Sequence, residues 1–312
     1  MSRSLNYLEM SKKIKVVVTG GAGFIGSNLV SLLVAKGFEV AVIDNLSAGR
    51  AERLPKEVTL HVADICDAEA IEPLFDGATY VFHLAAIPAV QYSIEEPVMT
   101  NEVNVKGLIN VLVAAQKAGV KRLVYSASSA AYGDQEQMPL VESMMAMPKS
   151  PYALQKYIGE LYCRLWSQLH GLETVSLRYF NVYGPGQSSE GDYALVIAKF
   201  LKQRALDLPM TVTGDGEQTR DFVHVRDIAR ANLLAMTSDK VGKGEVINIG
   251  AGQNYSVNYI AKLIGGPISY IPARFEPQNS QADNSLARDL LNWSPELSIE
   301  QGIEELKMGS SS

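Results

Sequence analysis

The chain has 312 residues, 47% of them apolar, and 28 basic against 34 acidic side chains give it a formal charge of −6. This is the make-up of an ordinary globular core, enough for one large domain or two modest ones, and cations scattered without a basic stripe exclude nucleic-acid binding. No apolar run is long enough for a membrane span, the Met1–Lys13 leader is polar rather than secretory, and Cys66 and Cys163 match no metal spacing, so a reducing cytoplasm is expected.

Lys15–Thr19 reads as a buried parallel strand, followed by the turn Gly20-Gly21-Ala22-Gly23-Phe24-Ile25-Gly26 and an apolar helix from Ser27 to Ala35. Each glycine has a separate task. Gly20 takes the angles of a tight turn, Gly23 lets main-chain amides approach a pyrophosphate, and Gly26 lets helix and strand pack closely. Phe24 and Ile25, in that turn, are expected against the cofactor, whose phosphate charge the free amides of the helix N-terminus favour. A second strand, Glu39 to Ile43, ends on Asp44 and Asn45. A carboxylate there accepts both hydroxyls of an adenosine ribose and repels a 2′-phosphate, so the expected cofactor is NAD rather than NADP, a preference weakened by nearby Arg50.

Further strand patterns at Val58–Ala63, Tyr80–Ala85, Arg122–Ala127 and Thr174–Leu177 alternate with helical patterns at 102–118 and 151–170. This alternation predicts an α/β fold, a Rossmann-type doubly wound parallel sheet whose ligands sit at the carboxyl ends of the strands. The strand exits are therefore the candidate site: Asp64 and Ile65 beside an adenine edge, Ala85 and Ala86 leaving room for the cofactor, and a serine-rich exit from Ser126 to Gly133. His83 reads as a hydrogen-bonded core residue. Beyond residue 180, Gly184-Pro185-Gly186 and Ser188–Gly191 mark loops. Helical patterns at 193–206, 226–237 and 257–264 alternate with strands near 211–213 and 245–249. The expected organisation is a dinucleotide domain over 1–180 together with 223–250, interleaved with a smaller C-terminal α/β substrate lobe over 181–307.

Tyr152 and Lys156 stand four apart on a helical pattern and share a face. Bringing a phenol from its ordinary pKa of about 10 to neutrality takes roughly 4 kcal/mol, which an adjacent ammonium and a positive nicotinamide ring can supply together. Tyr152 is then a usable general base, and Ser128 can bond the same substrate hydroxyl.

The ordered set Thr19–Gly26, Asp44-Asn45-Leu46-Ser47, His83-Leu84-Ala85-Ala86, Ser128, Tyr152-Ala153-Leu154-Gln155-Lys156, Arg178–Pro185 and Arg220-Asp221-Phe222-Val223-His224-Val225 resembles the extended short-chain dehydrogenases/reductases over nearly the whole chain, and within them the nucleotide-sugar epimerases. The resemblance implies tightly held NAD, contacted also by Tyr179, a UDP-sugar under the smaller lobe, and a homodimer formed by the helices around 102–118 and 151–170. It implies that Asn181 anchors the sugar nucleotide and that Arg220 clamps its pyrophosphate. The plain alternative for Arg220 is a surface pair with Asp221 or Asp227. Gln218, in the Gly214–Gln218 loop, shapes the nucleotide pocket.

Dehydratases of this superfamily carry an Asp-Glu pair just before the residue equivalent to Tyr132, and the decarboxylases keep the Glu; this chain has Ser129 and Ala130. Without a carboxylate, elimination lacks its proton carrier, whereas 4-epimerisation needs none. The pair Ala282-Asp283 makes Ser280 the residue that limits space beside the sugar C2, and the segment Gly191–Val196 is similar to forms that handle UDP-N-acetylglucosamine. Both acetylated and plain UDP-hexoses are therefore expected to enter. The family's Arg-x-Gly-Asp with a following Arg is replaced by Arg274-Phe275-Glu276-Pro277-Gln278-Asn279, which leaves Arg274 as the second phosphate contact. The competing readings are a dehydratase or decarboxylase and a non-catalytic NAD-binding sensor. Ser128, Tyr152 and Lys156 together argue against a sensor, which needs none of them.

Overall fold

The computed structural model describes residues 13–188, 196–273 and 279–309. Among these, twelve strands follow in chain order: β1 (Lys15–Thr19), β2 (Glu39–Asp44), β3 (Thr59–Val62), β4 (Tyr80–His83), β5 (Arg122–Ser128), β6 (Glu173–Tyr179), β7 (Asn181–Tyr183), β8 (Met210–Thr213), β9 (Thr219–His224), β10 (Lys243–Ile249), β11 (Asn254–Ser256) and β12 (Ile268–Ile271). Seven of them form one sheet in the order β10-β6-β5-β4-β1-β2-β3, parallel throughout. β10 rejoins this sheet beside β6 after the chain has left it, as the apolar run at 245–249 predicts.

Continuous apolar runs make these strands because both faces of the sheet are covered. Val16, Val17 and Val18 of β1 are all fully buried. On one face the helix Phe24–Ala35 packs against the helix Val225–Thr237 through a core that includes Leu29, Val30, Leu33 and Ile228; on the other, Leu108, Val111 and Leu112 of the helix Gly107–Lys117 meet Cys163 of the helix Pro151–His170. Chain direction across the sheet reverses between β1 and β4, which opens the crevice where such sheets take ligands.

The smaller lobe holds the sheet β11-β9-β7 and the pair β12-β8 around Phe200, Val212, Ile260 and Ile264. No helix among the described residues is long and apolar enough to cross a membrane.

Two boundaries depart from the sequence pattern, each with a physical cause. The first helix starts at Phe24 rather than Ser27, because Gly23, with φ −74° and ψ −178°, already serves as its N-cap. The stretch 102–118 is a π-helical turn, Glu102–Lys106, followed by the helix Gly107–Lys117, and it is preceded by short helices at Val90–Glu95 and Pro97–Asn101. The wider turn buries Asn104, whose side chain donates to Gln155 Oε1 at 2.8 Å and to the Ile87 carbonyl at 3.1 Å.

At Gly26 an added Cβ would lie 2.1 Å from the Gly20 carbonyl oxygen, a backbone atom that cannot move aside without opening the turn. Gly26→Ala should therefore cost about 1–3 kcal/mol of stability, as overpacking does, and lower the NAD content of purified protein; urea unfolding and the absorbance of extracted nucleotide check both.

Candidate active site

The nucleotide end is built by close backbone approach. Gly20, at φ +70°, sits where a Cβ would meet the Ala85 nitrogen at 2.5 Å, so the β1 turn lies directly on the β4 exit. Gly23 caps its helix without a side-chain hydrogen bond, which leaves the first-turn amides directed at the crevice. Asp44 is buried at the end of β2, with Oδ2 accepting from the Ala22 amide and Oδ1 from the Leu46 amide, both at 2.9 Å. Each oxygen keeps a lone pair for a ribose hydroxyl. A Cβ on Gly49 would meet Asp44 Oδ1 at 2.8 Å, so the loop after β2 folds over the acid only because position 49 is glycine. The sequence reading missed that role. Asn45 donates to Asp64 Oδ2 at 3.0 Å, and the Cys66 amide donates to Asp64 Oδ1 at 2.8 Å, which holds the Asp64 carboxyl below the usual range. These features fit a dinucleotide with an unphosphorylated ribose.

The proton-transfer groups stand where β5 leaves the sheet. Ser150 caps the helix Pro151–His170 by accepting from the Ala153 amide at 3.2 Å. The Tyr152 amide donates to Ser93 Oγ at 3.0 Å, and Gln155 donates to Thr100 Oγ1 at 3.0 Å, so the short helices before the π turn fix this one in place. Ser128 Oγ accepts from the Ala130 amide at 3.2 Å and lies where it favours the charged form of the Tyr152 phenol. Lys156, 4% exposed, donates from Nζ to the Ser126 carbonyl at 2.7 Å and lies 5.1 Å from the Tyr125 ring centroid.

Burial decides the charges here. It pushes Lys156 down to about 8, and it pushes the Tyr152 phenol up, against the opposing effect of Ser128. The sequence reading assigned the lowering of Tyr152 to Lys156 and the nicotinamide ring acting together. In the protein without nucleotide, burial raises the phenol, and the ammonium is held by a sheet carbonyl. His83 is the core residue its strand position suggests, sharing a 2.8 Å hydrogen bond with Thr19 Oγ1 and stacked on Tyr125 at 5.9 Å. Burial, with Lys156 nearby, pushes it down to about 3, so it is neutral.

Ser128, Ser129, Asn181, Gln218, Arg220 and Ser280 are all half-buried, as residues lining a cleft are. Asn181 Nδ2 donates to the Asp221 carbonyl at 3.1 Å and to Ser280 Oγ at 3.3 Å, so the structure brings these two expected substrate-side residues together. Gln218 Nε2 turns back to the Thr213 carbonyl at 3.0 Å, and Arg220 Nη1 donates to the Thr219 carbonyl at 2.9 Å. The acids weighed as partners for Arg220 have their own roles. Asp227 accepts from Arg230 at 3.0 Å, while the fully buried Asp221 accepts the amides of Ala251, Gly252 and Ala282 at 2.7, 2.9 and 3.0 Å. Asp221 thereby fixes the turn that leads to Ser280, and burial pushes it up to about 6.

Two expected contacts, Ile65 and Tyr179, turn their side chains into the core. Ile65 is buried against Gly107, leaving the exposed Asp64 as the polar group there. The Tyr179 hydroxyl donates to Asn232 Oδ1 at 2.9 Å inside the core, so only its main chain is near the sheet's end. Val196 is the first residue of the helix Val196–Ala205. Arg274 and Gly191–Leu195 lie outside the described residues.

A glycine turn under a buried acid, with a Ser–Tyr–Lys set at the neighbouring strand exit, defines an NAD-dependent enzyme that moves a hydride and a proton at a hydroxyl-bearing carbon. The chain belongs to the NAD dependent epimerase/dehydratase family, whose model matches residues 16–250. It is 38% identical to the UDP-glucose 4-epimerase of Thermotoga maritima solved with UDP-glucose, at a TM-score of 0.90 over 96% of this chain and 98% of that one. It is 37% identical to the UDP-N-acetylglucosamine 4-epimerase of Methanobrevibacter ruminantium solved with UDP-N-acetylmuramic acid, at 0.91 over 96% and 100%. A UDP-N-acetyl-α-D-glucosaminuronate decarboxylase of Bacillus cytotoxicus is 33% identical over 94% of this chain and 96% of its own.

Lys156 titrates lower when folded than its ordinary 10.5, so the folded protein binds fewer protons between about 8 and 10.5 and gains stability as pH rises through that window. The buried ammonium carries its full penalty below pH 8. In nucleotide-free protein, any stability advantage of Lys156→Met over wild type should be largest near pH 7 and shrink by about 2 kcal/mol by pH 9.5, measured by urea unfolding at the two values.

Proposed function

We propose that the enzyme interconverts UDP-hexoses at C4 through a 4-keto sugar, accepting UDP-N-acetylglucosamine and UDP-N-acetylgalactosamine together with UDP-glucose and UDP-galactose. The observation that carries this reading is the Ser128 side chain placed to favour a charged Tyr152 phenol, with the buried ammonium of Lys156 on the same helix face, at a strand exit followed by Ser129 and Ala130 rather than by a carboxylate. NAD, when bound, supplies the acceptor and donor for the C4 hydride. Tyr152 takes the C4 hydroxyl proton, and Ser128 bonds the same oxygen and orients it. Lys156 favours the phenolate form in which Tyr152 can accept that proton. With no acidic side chain at 129 or 130 to shuttle a further proton, the keto sugar keeps its water. It turns over in the cleft, receives the hydride at C4 on its opposite face and recovers the proton at O4 from Tyr152.

Asn181 and Arg220 are the residues assigned to the nucleotide, and Ser280 to the space beside C2. A homodimer fits the outward face of the helix Pro151–His170, where Leu161, Leu165 and Leu169 repeat every four residues and are 44%, 42% and 66% exposed. Val98, 77% exposed, and Met99, 52% exposed, extend that face from the short helix Pro97–Asn101. Residues 102–118, the other part of the expected interface, carry none of the large exposed apolar side chains.

Tyr152→Phe should leave the fold and bound NAD intact while lowering kcat for UDP-galactose by at least about a thousandfold, read by a coupled assay for UDP-glucose. Turnover at the wild-type rate rejects Tyr152 as the base, and a water-loss product from the wild-type enzyme rejects the argument from Ala130. Ser280→Tyr should abolish conversion of the acetylated sugars and spare UDP-galactose. Equal loss of both would reject the pocket assignment.

A further inference from the structure

The helix that carries Tyr152 and Lys156 carries a third inward-facing group one turn further on, Glu160, which the reaction as written does not use. Glu160 is 2% exposed, and its carboxylate oxygens accept from Nε and Nη2 of Arg178 at 2.8 and 2.7 Å, a bidentate pair. Arg178 lies in β6 opposite Ala127 of β5, between Ser126, whose carbonyl holds Lys156, and Ser128, which favours a charged Tyr152 phenol. Its guanidinium lies 4.4 Å from the Tyr132 ring centroid, and the Tyr132 hydroxyl donates to Asn248 Oδ1 at 2.7 Å. The pair therefore joins the catalytic helix to both ends of the serine turn.

Charge accounts for the need. Lys156, Glu160 and Arg178 are buried together and sum to one positive charge, which a phenolate at Tyr152 neutralises. Without Arg178, Glu160 would take Lys156, four residues away on the same helix face, and draw the ammonium from Ser126. Without Glu160, two cations would share a dry site, and the lysine is the one able to shed its proton. The other groups facing Lys156 cannot substitute. Burial pushes the Tyr125 phenol and the Cys163 thiol up and His83 down, so all three are neutral, and Arg164 flanks Glu160 from an exposed position.

We propose that the Glu160–Arg178 pair is a positioning element for proton transfer, keeping Lys156 charged and seated on Ser126 and the Ser128 turn in register without touching the sugar. This rests on Tyr152 being the base. The test is Glu160→Gln in the NAD-loaded enzyme with UDP-galactose. The expected result is a kcat lowered about tenfold or more, an alkaline limb moved to lower pH by about one unit, and KM within about threefold of wild type. In a Lys156→Met background the same change should cost no more than about twofold, because the charge it supports is gone. An unmoved alkaline limb, or losses that multiply, overturns the proposal. If Glu160→Gln alone does not fold, Glu160→Gln/Arg178→Gln leaves no unpaired charge. A smaller downward shift is expected of it, because Lys156 loses the attraction of Glu160 without facing an unpaired Arg178, and an unchanged profile overturns the idea. Failure of the base assignment is read separately: Tyr152→Phe then turns over normally, whatever Glu160→Gln does.

Discussion

The ammonium of Lys156 is nearly out of water, and much of the molecule is arranged around that fact. A buried cation is costly unless something fixes it, and here a carbonyl at the end of β5 does so at 2.7 Å, with the face of Tyr125 beneath. The sheet must present that carbonyl, so β5 runs through Ser128 between β4 and β6. The helix must present the lysine at the right height, so its first turn is held by Ser150 and Ser93 and its flank by Gln155 on Thr100 and Asn104. A lysine with its proton held only loosely, beside a phenol that burial keeps protonated, is a poor arrangement for stability and a good one for proton transfer once a positive ring and a hydroxyl-bearing substrate fill the crevice.

The crevice is equally a product of close packing. Gly20 against Ala85 and Gly26 against Gly20 let two strand exits and a helix N-terminus converge within the width of a backbone, with no side chain between them and a phosphate. On the lobe side the same economy falls to Asp221, which gathers three amides and so carries the turn at 250–252 and the approach to Ser280. One buried carboxylate thereby links the β9 strand bearing Arg220 to the residue facing the sugar.

Ser129 and Ala130 leave the serine turn without an acid. On the function proposed here that omission keeps water on the keto sugar, and the small Ser280 side chain leaves room beside C2.

The order of strands and helices, the glycine turn, Asp44 and the Ser128–Tyr152–Lys156 set could be read from the sequence, because burial on both faces, helical spacing and glycine's special angles leave local marks. Tertiary structure alone decided the rest. Phe24 begins the helix because Gly23 caps it, Ile65 and Tyr179 face the core, and Asn181 meets Ser280 across 99 residues. The charge state of Tyr152 also belongs to the assembled protein, since spacing brings an ammonium close but only burial sets how strongly each group resists charging. The Glu160–Arg178 pair looks in sequence like one more solvated helix acid and one more strand arginine, and it becomes a unit only when β6 and the catalytic helix pack. Periodicity reports which face is inside; it does not report which partner waits there.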